Sequence, residues 1–117
     1  MRELECFFQE NCYLPPNEKV MVSDRFGDGK LLWEIRAVRE AELRKMERET
    51  EENLCVAAVV FPDLTDRKLL ESYGAKNGVE VLQKMLTPAE YLRLQKAVMT
   101  LNGFQKRKAE RRETAKN

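Results

Sequence analysis

A chain of 117 residues with 43% hydrophobic and 35% charged side chains has enough apolar material for one core and carries a heavily solvated surface. Its 21 lysines and arginines against 20 aspartates and glutamates leave a net charge of +1, and histidine is absent, which removes the commonest general base, the Ser-His and Cys-His nucleophile pairs and the commonest ligand of catalytic zinc. Cys6, Cys12 and Cys55 form no CxxC pair, and no run reaches the ~18 to 20 apolar residues of a membrane span or the pattern of a secretory signal, so disulfide frameworks, thiol metal knuckles and membrane insertion all drop out.

Along the chain, Leu4, Phe7 and Phe8 stand at i, i+3 and i+4, the spacing of a short amphipathic helix, which Pro15-Pro16-Asn17 ends. Val20 and Val22, then Leu31, Trp33 and Ile35, alternate with other side chains as in strands with one buried face. The Gly27-Asp28-Gly29 turn between them predicts a β-hairpin, because glycine tolerates the positive φ of tight turns. From about Val38 the pattern becomes helical, and Arg39 to Glu52 reads as a wet, charged helix with a thin stripe at Leu43 and Met46. Leu54 to Phe61 is the most apolar run; strand and helix both fit its periodicity, and its helical neighbours favour a helix ended by Pro62.

Thr65 or Asp66 caps a short helix through Ser72 or Tyr73 that Gly74 closes, and a second short helix runs from Asn77 or Gly78 to Met85. Thr87-Pro88-Ala89-Glu90 combines a capping threonine, a proline at the first helical position and a glutamate at the third, and so opens the last helix, which runs to about Asn102. On that helix Tyr91, Leu94, Val98 and Leu101 form the main apolar stripe, while Leu92 and Met99 lie about 80 to 100° round from Tyr91 and offer a second face to a partner. The expected fold class is α+β, mainly α, with a small N-terminal β-hairpin packed on a compact bundle of short helices. Residues 1–103 form one domain, with the first helix and hairpin over about 1–38 and the helical part over about 39–103. Residues 104–117, with six lysines and arginines against two glutamates, form a basic tail.

No phosphate-cradling, dinucleotide or zinc-protease motif is present, Gly27-Asp28-Gly29 lacks the remaining positions of a Gly-rich or calcium loop, and neither serine nor cysteine has a histidine to activate it. The chain reads as a binding protein without cofactor, metal or catalytic residues.

Four stretches in order, Val59-Val60-Phe61-Pro62-Asp63-Leu64, Glu71-Ser72-Tyr73-Gly74, Met85-Leu86-Thr87-Pro88-Ala89-Glu90-Tyr91 and Leu101-Asn102-Gly103-Phe104, resemble the XkdN-like phage tail assembly chaperones of contractile-tailed phages and Gram-positive prophages. Ser23-Asp24-Arg25-Phe26 followed by Trp33-Glu34-Ile35 resembles the family's N-terminal strands. The segment between the Trp strand and the apolar run is short and highly charged, a departure from the family pattern.

The resemblance implies a mainly helical factor of the bacterial host cytoplasm, acting in tail morphogenesis and absent from the finished particle. Its expected clients are the tape measure protein and the tail tube protein, and self-association into a homo-oligomer is compatible with that role. The client surface it points to is the last helix and its end: Tyr91, Leu92, Met99, Phe104 and Arg107. Two rivals carry different expectations. A nucleic-acid binder would use Lys106, Arg107, Lys108, Arg111 and Arg112, but nucleic acid is not the expected partner of a body with net negative charge; a neck or tail-completion protein would remain in the particle. Ala115-Lys116-Asn117 is encodable as a slippery heptamer, compatible with a frameshifted longer form.

Overall fold

The computed structural model describes residues 2–11, 13–46 and 50–103. The chain begins with a one-turn helix α1 (Arg2–Glu5) and a 3-10 turn (Gln9–Asn11), so the expected opening helix is divided. After Pro15-Pro16 come strands β1 (Glu18–Val20) and β2 (Trp33–Ile35), then α2 (Glu40–Arg44), α3 (Glu51–Ala58), β3 (Val59–Phe61), α4 (Arg67–Tyr73), α5 (Gly78–Met85) and α6 (Pro88–Leu101). The architecture is α+β and mainly α.

The sheet holds three antiparallel strands in the order β1-β2-β3, with Val20 opposite Trp33, Lys19 opposite Glu34 and Ile35 opposite Val59. The third strand corrects the expectation of one helix from Leu54 to Phe61. Helix α3 ends at Ala58, and the chain turns extended at Val59. Two forces act there: Phe61 precedes a proline, which disfavours the α region, and β2 offers an open edge to a β-branched, aromatic triplet. The Phe61-Pro62 peptide is cis. The charged helix expected over Arg39 to Glu52 is also not continuous, because Thr50 is extended and caps α3 afresh, accepting from Asn53 N at 3.2 Å.

The expected tight hairpin is instead a long connection, residues 21–32, whose tip is the predicted turn. Gly27 and Gly29 take φ of 57° and 83°, and the Gly29 amide donates to the Phe26 carbonyl at 3.0 Å. The helix ends follow the sequence closely. Asp66 caps α4 and Gly74 closes it at φ 58°, Asn77 caps α5, and Thr87 and Glu90 complete the reciprocal box that opens α6.

Trp33 and Ile35 from the sheet meet Cys55 of α3, Leu82 of α5 and Leu94 and Val98 of α6 in one buried cluster, with Val22 and Leu64 beneath the loops. Helix α6 is tied to the other elements by polar contacts as well. Arg93 Nη1 donates to the Val22 carbonyl at 2.9 Å, Asn102 Oδ1 accepts from the Val38 amide at 2.8 Å, and Gln95 Nε2 donates to Glu51 of α3.

Candidate functional site

The start of α6 organises the surface around it, and the reason lies in one carboxylate. Glu90 is 6% exposed, and its side chain accepts four hydrogen bonds. Oε2 takes the Ser23 hydroxyl at 2.5 Å and Arg25 Nε at 2.8 Å; Oε1 takes Arg25 Nη2 at 2.5 Å and the Thr87 amide at 2.9 Å. All the lone-pair sites of the group are filled, and the arginine is bidentate, the strong geometry for this pair. The Arg25 fork, then the Ser23 hydroxyl and the Thr87 amide, hold the Glu90 carboxyl far below the ordinary carboxylate range. The Arg25 guanidinium is raised in turn, chiefly by the hydrogen bond to Glu90.

Arg25 also donates from Nη2 to the Met85 carbonyl at 2.7 Å, closing one of the orphan carbonyls at the end of α5, and its guanidinium lies 5.2 Å from the Phe26 ring centroid. The buried Ser23 hydroxyl accepts the Arg25 amide at 3.1 Å, which fixes the loop that presents the fork. One knot therefore joins the 21–32 loop, the end of α5 and the start of α6. Sequence reading assigned Glu90 only to the capping box. The available signal was that Ser23-x-Arg25-Phe26 and Thr87-x-x-Glu90 both belong to the motifs that carry the family resemblance.

The knot separates two apolar depressions. The first, about 300 Å³, runs between α3, α5 and the start of α6 and is lined by Val79, Leu82, Leu86, Pro88 and Tyr91, with Glu52 and Gln83 on its rim. Tyr91 forms one wall, and its buried hydroxyl makes no regular hydrogen bond. Burial, and then the neighbouring Cys55, raise the Tyr91 phenol well above its ordinary value, while burial pushes the Cys55 thiol up to about 11. Both groups are neutral at physiological pH.

The second depression, about 160 Å³, lies between the sheet, the 21–32 loop and α4. Phe26, Trp33, Phe61, Tyr73 and Met85 line it together with Leu31, Pro62 and Leu69. Residues from five of the motif stretches thus share one wall.

Of the sequence-predicted surface residues, Tyr91 lines the α3/α5/α6 groove and Leu92 beside it is 59% exposed. Met99, on the same side by helical angle, is half-buried against the core. Phe104 and Arg107 lie outside the described residues, as do Lys106, Lys108, Arg111, Arg112 and the slippery-site residues. Among the described residues no helix is long and apolar enough to cross a membrane, and no cluster of three cysteine, aspartate or glutamate side chains is placed to hold a metal.

The family model of the phage XkdN-like tail assembly chaperone protein matches residues 47–116, more than half of the chain. The chain belongs to the XkdN-like tail assembly chaperone family. The matched range holds α3 to α6, the groove between them and the Thr87 to Glu90 box; the Ser23-to-Phe26 motif precedes it and joins it through the Arg25 fork. The crystal structure of the protein yqbn has the same fold, with a TM-score of 0.75 over 85% of this chain and 94% of that one at 21% identity. No curated protein matches the chain.

Proposed function

We propose that this family member acts during tail morphogenesis by holding a helical segment of the tape measure protein in the α3/α5/α6 groove, and that it then delivers the complex to tail tube subunits and leaves before the particle is complete. The observation that carries the reading is the groove itself: an apolar channel between three helices, with Leu82, Leu86 and Tyr91 along it, and with the exposed Leu92 next to Tyr91 in the chain. That is the shape in which an amphipathic helix buries its apolar seam. A tape measure is a long helical polypeptide, and such a seam left uncovered drives aggregation. Phe104 and Arg107 are further candidate client contacts in this reading, and the bacterial host cytoplasm is where the chaperone works.

Co-expression with the tape measure gene of the same tail cluster tests the proposal. The chaperone keeps the tape measure soluble and co-purifies with it, and Val79→Asp or Leu92→Asp releases it. Quantitative mass spectrometry of purified particles finds tube and tape measure protein without this chain. A tape measure equally soluble alone, or stoichiometric amounts of the chain in particles, refutes the reading.

A further inference from the structure

Among the described residues, the segment before the sheet concentrates large apolar side chains in solvent. Leu4, Phe7, Phe8, Tyr13 and Leu14 are 58%, 78%, 44%, 89% and 37% exposed, and none belongs to the core or packs against it. Single exposed apolar residues are ordinary, but five large ones within eleven positions, three of them in the stretch with helical turns, are a concentration of the kind that marks a contact surface. Residues 2–14 are also acidic, with Glu3, Glu5 and Glu10 against Arg2.

The same chain offers a complementary seat. The depression bounded by Phe26, Trp33, Phe61 and Tyr73 has a volume of about 160 Å³, close to the ~150 Å³ apolar cavity that admits one benzene ring. Its outer wall, Leu31 and Phe61, is shared with a groove that also carries Leu32, the two lysines Lys19 and Lys30, and one acid, Glu34, whose carboxylate accepts from the Asn17 amide at 2.8 Å. Leu31, Leu32 and Phe61 are each 42% to 48% exposed, and among the described residues neither lysine ammonium forms an ion pair or a hydrogen bond. Lys19 faces Glu34 across the strands without pairing with it. The seat therefore takes an aromatic anchor on an acidic stem.

The segment does not fill its own seat: its aromatic side chains stand in solvent in this structure. Pro15-Pro16 favours this, since consecutive prolines fix φ and hold the preceding residue extended, which opposes a tight fold-back onto the body.

We infer that residues 2–14 dock in the Phe26–Trp33–Phe61 seat of a second copy, so that two chains exchange these segments reciprocally and close as a dimer. Phe7, the most exposed phenylalanine of the segment, is the anchor, and Lys19 and Lys30 meet its glutamates. Reciprocal exchange is a low-cost route to a closed pair because each seat already exists in the single chain. The seat is separate from the α3/α5/α6 groove, so self-association stands independently of client binding.

Sedimentation velocity on the full chain over a wide concentration range tests this. The wild-type chain forms dimers. Phe7→Asp and Leu31→Asp, both at exposed positions, keep the circular dichroism spectrum and each weaken the dimer by at least about tenfold. Mixing the two variants restores a heterodimer, because the intact segment of the Leu31→Asp chain enters the intact seat of the Phe7→Asp chain. That heterodimer is weaker than the wild-type dimer, having one filled seat instead of two. A monomeric wild type, a Phe7→Asp chain that dimerises normally, or a mixture that stays monomeric overturns the inference.

Discussion

Gly78, the first residue of α5, places helix propensity and packing in opposition. An alanine there gains ~0.5 to 1 kcal/mol on propensity and chain entropy alone. A Cβ at that position, however, would stand 2.7 Å from Val56 Cγ1, 3.4 Å from Leu64 Cβ and 3.5 Å from Val56 Cγ2. The first distance is far inside the ~3.5 to 4.0 Å of carbon contacts. Val56 is β-branched and stiff within α3, so it cannot simply swing aside, and α3 and α5 must part. Overpacking of this kind costs about 1 to 3 kcal/mol, which leaves a net loss of up to about 2.5 kcal/mol for Gly78→Ala, or a Tm lower by up to roughly 15 °C. Urea unfolding reports it through Trp33, the single tryptophan and 2% exposed, whose fluorescence shifts on release from the core. In a Val56→Ala chain the clash is gone, so Gly78→Ala becomes neutral or stabilising there. A stabilising alanine in the wild-type chain, or a penalty undiminished beside Val56→Ala, refutes the packing argument.

Other expectations follow from the same contacts. Thr87→Ala removes the capping oxygen that accepts from the Glu90 amide at 3.3 Å and lowers stability by ~1 kcal/mol in the same urea assay. Ser23→Ala deletes a buried hydroxyl that both donates to Glu90 and accepts from the Arg25 amide, at a cost of about 1 to 3 kcal/mol. Glu90 has a depressed carboxyl in the folded chain, so its stabilisation is complete above the unfolded carboxyl value of 4.5 and is lost as pH falls through the folded value; Glu42, held at about 2 chiefly by Arg36, behaves in the same way. Glu90→Gln therefore flattens the fall in urea midpoint on the acid side of pH 4.5, and an unchanged acid slope counts against the knot. In a chain with Cys6 and Cys12 replaced by serine, Cys55, fully buried and with its thiol pushed to about 11, reacts with a thiol reagent at neutral pH only as fast as the protein unfolds.

What could be read in the sequence was what is decided locally. Thr87 with Glu90, Asp66 with Gly74, and Asn77 are capping choices that depend on residues within one turn, and each stands where the spacing puts it. The apolar run at Leu54 to Phe61 was not decided locally. Its second half became strand because β2, twenty-four residues earlier at Ile35, presents an edge opposite Val59. The candidate surface divides along the same line. Helical angle placed Leu92 and Met99 on one face, but it carries no information on what packs there, and the core covers Met99 while leaving Leu92 exposed. The second role of Glu90 was invisible for a related reason: its partners Ser23 and Arg25 lie 67 and 65 residues away.

That separation also sets a clock on synthesis. At translation speeds of ~5 to 20 residues per second, Glu90 is made about 3 to 13 s after Arg25. During that interval the loop that presents Ser23 and Arg25 has no acid to grip, and the junction of α5 and α6 does not yet exist. The three segments therefore lock in one late event, when a single carboxylate emerges to meet Ser23 and Arg25.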